Sequence, residues 1–326
     1  MTKESLHGWL NIFKPLRITS SYTVLQIKKQ IKNYHTAIFD SSCISDYKVD
    51  QSKRKTKVGH AGTLDEMADG VLPVAIGQAT RLVEYTMDYD KAYIFTVQFG
   101  TKTTTADQLG DVIATSNTLV SAQNILQILK NFKGETYQTP HKYSAIKVNG
   151  RRAYDLARSN INFELNPRII TIHSIKMCSF DEKAQKAVFK VECSKGTYIR
   201  SLAEDIAEQM GTLGFVTQLT RTRVGPFNIS NSICFKKLDY SLIYNVDIAL
   251  MNLLQLHVDQ AISIKILNGV QVKIYEIIEC DKRNESTYKI YTKSFNKKVW
   301  LSLNHKLVSI GKIRDEYFIS DKCFYL

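Results

Sequence analysis

The segment GHAGTLDEMADGVLP, residues 59 to 73, carries three glycines, one histidine and three carboxylates, Asp65, Glu66 and Asp69, and ends in a proline. Neither helix nor strand periodicity describes it. Glycine leaves a backbone uncovered, so a carboxylate bracketed by Gly59 and Gly62 in front of an apolar run is placed to meet a ligand closely. Asp65 is therefore the first candidate for a ligand contact. Its spacing serves equally for an N-cap of the next turn, a position that aspartate favours. The three acids lack the alternation of a calcium loop.

A second group lies in GTYIRS, 196 to 201. Tyr198 and Arg200 alternate, which on a strand puts them on one face. A buried arginine can hold a carboxylate and depress its pKa. The same residues also fit an amphipathic strand end with the arginine in solvent. Tyr93, two residues after Lys91, reads by itself as core. His60 reads as a histidine bonded locally near a turn. The basic stretches SKRKTK (52 to 57) and GRR (150 to 152) suit either phosphate contacts or a solvated face. The six cysteines are scattered with no CxxC pair, and the seven histidines show no HxxxH spacing. That argues against a zinc site or a disulfide framework and predicts a reducing compartment.

Such side chains need a scaffold, and the 326 residues, 44% of them hydrophobic, are enough for about two domains. Lysine and arginine number 44 against 31 acidic residues, a net charge of +13 that favours an acidic polymer, nucleic acid before membrane, as partner. No apolar run approaches membrane-spanning length, and MTKESLHGWLNIFKP has no secretory pattern, so a cytoplasmic location is expected. WLNIF (9 to 13) reads as a strand, followed by a helix from Thr19 or Ser20 with Val24, Ile27 and Ile31 on one face. Residues 34 to 57 lose periodicity and read as a long basic loop. VLPVAIG and AYIFTVQF read as strands, GTKTTTADQLGDV as a loop, and 121 to 132 as a helix with Ser121 as N-cap. AVFKVEC (187 to 193) reads as a strand, and a helix is expected from Ser201, with Ser201 and Glu204 as a capping box. From about residue 250, short strands predict a small β-rich unit. Helices and strands mix without a βαβ rhythm, so the class is α+β.

These pieces together resemble the TruB family of RNA pseudouridine synthases. VGHAGTLDEMADGVLPVAIGQATRL (58 to 82) resembles its catalytic segment, IFKPLRITS (12 to 20) its KPxGxTS motif, and GTKTTTADQLG (100 to 110) its GxxTxTxDxxG pattern. QTPHKYSAIKVNGRRAYDLAR (138 to 158) is similar to the segment that the family inserts against the RNA loop, and KGTYIRSLAEDI (195 to 206) to its Tyr and Arg element. LNGVQV and LVSIGKI resemble parts of a PUA-like domain.

The resemblance implies an α+β pseudouridine synthase catalytic domain over 1–245, with a mixed, largely antiparallel sheet flanked by helices. The long basic loop would occupy 34–57, an RNA-contacting insertion 134–160, and a small β-rich PUA-like RNA-binding domain 246–326. It implies Asp65, Tyr93 and Arg200 as catalytic, and His60, Tyr198, Lys91, Tyr143, Lys147 and Arg152 as RNA-binding. The implied activity is isomerisation of uridine-55 in the T-loop of tRNA, by base flipping, without cofactor or metal. The partner would be the tRNA T-arm stem-loop. No membrane and no obligate protein partner are expected, and a monomer is.

Three positions depart from the family pattern: Arg17 stands for its Gly, Glu66 for its Pro after the aspartate, and His141 for a Pro before YSA. Glu66 is expected to face solvent, since an inward carboxylate beside Asp65 would raise its pKa. The guide-RNA-dependent branch of the family carries basic tails, and the end at SDKCFYL favours the stand-alone branch. A binding-only tRNA chaperone is the reading from another class. It predicts that Asp65→Ala still accelerates tRNA folding. The basic end of the 34–57 loop is expected to touch tRNA phosphates. Its truncation should weaken tRNA binding and flatten the salt dependence, and unchanged binding contradicts that role.

Overall fold

The structure is a computed structural model that describes residues 6–41, 56–280 and 297–325. The chain starts with β1 (Gly8–Lys14), α1 (Ser20–Ser41), β2 (Val58–His60), β3 (Ala68–Ile76), α2 (Val83–Met87) and β4 (Lys91–Phe99). Next come a ribbon of β5 (Thr101–Thr103) with β6 (Val112–Thr115), then α3 (Ala122–Ile128) and β7 (Gly134–Gln138). A second ribbon, β8 (Lys147–Val148) with β9 (Arg151–Arg152), leads into α4 (Ala153–Arg158). The long strands β10 (Arg168–Asp181) and β11 (Lys186–Cys193), helix α5 (Ile199–Gln209) and β12 (Gly214–Val224) follow, then short β13 (Phe227–Asn228) and β14 (Ile233–Cys234).

These strands build a ten-stranded sheet in the order β14-β1-β3-β12-β4-β11-β10-β7, with β2 on β3 and β13 on β12. The pairs β1–β14 and β3–β12 are parallel, and the others are antiparallel. The mixed, largely antiparallel α+β arrangement expected from the sequence is therefore found. Period-two alternation splits β1 between two layers. Leu10 and Ile12 join Val24, Ile27 and Ile31 of α1 and Leu202 and Ile206 of α5 in one core, while Trp9 enters another on the opposite face.

Two local expectations change. Helix α1 continues to Ser41 rather than giving way to a loop at 34, because no Gly or Pro interrupts 33 to 41. The rest of the expected loop, 42 to 55, lies outside the described residues. The loop expected over 100 to 112 is instead gathered by the β5–β6 ribbon.

The C-terminal part is β-rich, as expected, and adds two helices: β15 (Leu254–His257), α6 (Gln260–Leu267), β16 (Val272–Lys273), α7 (Ile274–Cys280), β17 (Lys298–Leu303), β18 (Lys306–Arg314) and β19 (Tyr317–Cys323). Its sheet runs β15-β17-β18-β19-β16. Trp300, Leu307, Ile310 and Phe324 share one core with Trp9, Val71, Ala75 and Phe227 of the larger sheet. Around that core, Lys322 Nζ donates to Glu84 Oε1 at 2.6 Å and the Arg81 guanidinium lies 4.6 Å from the Phe324 ring centre.

Trp9 is fully buried and its Nε1–H donates to the Val246 carbonyl at 3.1 Å. Trp9→Ala should destabilise the fold by about 3–5 kcal/mol, read as a lower urea midpoint at unchanged m. A loss under about 1 kcal/mol contradicts a shared core at this residue.

Candidate active site

Asp65 stands on the loop between β2 and β3, and its neighbours alternate inward and outward. Leu64 and Met67 are buried, and Glu66 is exposed as expected. Ser20, at the start of α1, pins the residue before Asp65. Its Oγ accepts the Leu64 N–H at 2.9 Å and donates to the Leu64 carbonyl at 3.0 Å.

The loop is held from beneath by Arg221 of β12, which is 2% exposed. Arg221 donates to the carbonyls of Val71 at 2.8 Å, Gly62 at 3.0 Å and Thr63 at 3.4 Å. Two glycines make this approach possible. Gly62 has φ +102°, and a Cβ on Gly70, at φ +109°, would collide with the Arg221 backbone. Sequence reasoning missed Arg221. The strand that carries it, GFVTQLTRTRV, mixes apolar and polar residues and holds a second arginine, Arg223, so its local pattern does not single Arg221 out.

Arg200 joins the loop to the other half of the site. Its side chain is 7% exposed, and its Nε lies 3.0 Å from Asp65 Oδ2, itself 41% exposed. Its two terminal nitrogens are also engaged: one lies 3.4 Å from Asp107 Oδ2 and donates to the Thr105 carbonyl at 3.0 Å, the other donates to the Tyr143 carbonyl at 2.9 Å. Asp107 is buried and fixed by the Thr105 hydroxyl at 2.6 Å and the Leu109 N–H at 3.0 Å. One buried cation is thus shared by a buried carboxylate and a partly exposed one. Asp107 lies in the GTKTTTADQLG motif, but the sequence did not show that it meets Arg200.

The strand expected for GTYIRS is instead a helix start. Tyr198 is the N-cap of α5 and Arg200 sits in its first turn. The expected capping box is absent, because Ser201 is buried inside that turn. Gln138 of β7 fixes the helix entry instead: it accepts the Tyr198 N–H at 2.8 Å and donates to the Tyr198 carbonyl at 3.1 Å. Burial raises the Tyr198 phenol pKa.

Tyr93 of β4 lies directly across from Arg221 in the strand register. It is 8% exposed, and burial pushes its phenol up to about 12. The neutral phenol therefore prevails near neutrality, and Tyr93 suits stacking and hydrogen bonding better than resting-state proton abstraction. Burial and then the Arg221 charge lower the pKa of His60 of β2, and its buried Nδ1 has no partner among the described residues.

Lys91 corrects the expected RNA surface. Its ammonium is buried and donates to the Met87 and Tyr89 carbonyls, and burial lowers its pKa to about 8. It closes a turn and does not face solvent. Lys147 and Arg152 are exposed on the β8–β9 ribbon. Tyr143, half-buried, acts on Arg200 through its backbone and stacks on His141 with ring centres 5.9 Å apart. Among the described residues no group of three or more His, Cys, Asp or Glu could hold a metal.

The N-terminal domain model of TruB family pseudouridylate synthases matches residues 50–199, and the tRNA pseudouridylate synthase B C-terminal domain model matches 200–258. A tRNA pseudouridine synthase B from Rickettsia akari is 44% identical over 231 residues, covering 71% of this chain and 72% of that protein. The chain belongs to the TruB family. A Rickettsia felis protein of the same name is 46% identical over 231 residues, and the match spans 62% of its length. The family fold extends to more distant relatives. The Cbf5–Nop10–Gar1 crystal structure contains a chain that superposes with a TM-score of 0.66 at 22% identity, over 98% of this chain and 84% of that one. No helix among the described residues is long and apolar enough to cross a membrane.

His141, where the family pattern has proline, accepts the Tyr143 N–H through Nδ1 at 3.2 Å and lies 3.9 Å from Glu204. Burial, then Arg200 and Lys102, push its pKa from 6.5 to about 3. Between those values the unfolded chain binds a proton here that the folded chain does not, so stability falls as pH falls. At about pH 5 the loss is about 2 kcal/mol relative to neutrality. Urea unfolding of His141→Asn should show that much less acid destabilisation, and equal losses in both proteins contradict a buried neutral histidine.

Proposed function

We propose that this chain isomerises uridine to pseudouridine in tRNA, at uridine-55 of the T-loop. The observation that carries this reading is the ion pair between buried Arg200 and partly exposed Asp65 on a glycine loop, in a chain of the TruB family. The reaction breaks the N1–C1′ bond, turns the base, forms the C5–C1′ bond and moves the C5 proton to N1, with no net redox change. A stacked uridine cannot turn in place, so it must be extruded, at a cost of a few kcal/mol. Stacking returns roughly 1–3 kcal/mol per base, and Tyr93 and Tyr198 supply aromatic faces.

Asp65 serves as the nucleophile or base at the sugar or the base ring. Arg200 orients its carboxylate, and the second carboxylate, Asp107, keeps Arg200 from moving with the substrate. His60 would contact the RNA near the vacated base position, and Lys147 and Arg152 suit contacts to the RNA backbone. Residues 1–245 would form the catalytic domain, with 134–160 as the RNA-contacting insertion, and 246–326 a PUA-like RNA-binding domain. The enzyme would act in the cytoplasm, as a monomer, on bare tRNA.

The test uses an unmodified tRNA transcript labelled with tritium at uridine C5, without guide RNA or added protein. Wild type should release tritium and give one carbodiimide-dependent primer stop in the T-loop. Asp65→Ala should be slower by at least about a thousandfold. Absence of release by wild type despite tight tRNA binding contradicts the reading.

A further inference from the structure

Arg17 lies in the turn between β1 and α1 with φ +61°. Residues other than glycine rarely adopt this left-handed backbone, and the KPxGxTS pattern has glycine here. The turn is locked on both sides. The Arg17 N–H donates to the Glu66 carbonyl at 2.9 Å. The buried Lys14 ammonium donates to the carbonyls of Pro15 at 3.0 Å and Ile18 at 2.7 Å.

Arg17 thus keeps a strained conformation that glycine would take freely, and nothing inside the protein uses its side chain. The side chain is exposed, beside exposed Leu16 and Tyr22. Among the described residues its guanidinium has no hydrogen bond or ion pair. Strain kept at the edge of a site and not used within the fold points to a ligand. The position is specific. Through Glu66, Arg17 is fastened to the residue next to Asp65, where an exposed carboxylate would repel an approaching phosphate.

We propose that Arg17 binds a backbone phosphate of the RNA strand that approaches Asp65, and that its charge offsets the exposed Glu66 beside it. A planar guanidinium matches a phosphate with two parallel hydrogen bonds, which glycine cannot supply. The inference rests on the tRNA reading above.

The test measures binding of a T-arm hairpin RNA to the full chain across a salt series, for wild type, Arg17→Gly, Arg17→Asn and Arg17→Lys. Asn tolerates the left-handed backbone without charge, so it separates charge from conformation. Arg17→Gly should melt about 1–3 °C higher, since the strain is relieved. Both uncharged variants should bind about three- to tenfold more weakly at low salt, with a log–log salt slope shallower by about 0.7–0.9. Arg17→Lys should keep most of the slope. Wild-type affinity and slope in the Gly and Asn variants overturn the assignment while leaving the tRNA reading intact. A wild type that does not bind the hairpin overturns both.

Discussion

Everything at this site depends on where one buried positive charge can rest. Arg200 is nearly sealed from solvent, so each of its nitrogens needs a partner. Two carboxylates and two carbonyls from three separate segments provide them. An arginine left with a missing partner in this setting would be costly, which makes the arrangement close to all-or-none. Asp65 is the carboxylate of the two that reaches solvent. Its position is thereby set by the α5 N-terminus, the 105–107 turn and the 143 turn together, rather than by its own loop alone.

Arg221 plays the complementary part beneath the loop. It satisfies three carbonyls of the 62–71 segment that the glycines leave open, and it sits directly across from Tyr93. The two arginines differ in purpose. Arg221 holds backbone, whereas Arg200 holds the Asp65 side chain. The core that joins Trp9 to Trp300 and Phe324 braces the same sheet from the far face. In the proposed enzyme this would tie the C-terminal RNA-binding surface to the cleft without an adjustable hinge at that contact.

Much of this was legible in the sequence where the signal was local. The glycine-bracketed Asp65, the α1 and α3 stripes and the strands β1, β3, β4 and β11 follow from short-range pattern. What failed depended on distant partners. GTYIRS alternates like a strand, yet Gln138, sixty residues away, captures both polar backbone groups of Tyr198 and lets a helix start there. The resemblance implies an RNA contact for Lys91, but the turn before β4 offers its ammonium two carbonyls. The meeting of Arg221 with the Asp65 loop is set by pairing between β3, β4 and β12, and no local periodicity encodes that register.

The most direct test of the central claim is a structure of Asp65→Asn bound to a T-arm hairpin RNA. The account predicts one uridine out of its stack, its ring against Tyr93. Its C1′ or ring carbon should lie about 3.5 Å from the residue 65 side chain, with Arg200 still held by Asp107. An RNA bound with all loop bases stacked, or an extruded base seated away from residue 65, would contradict it.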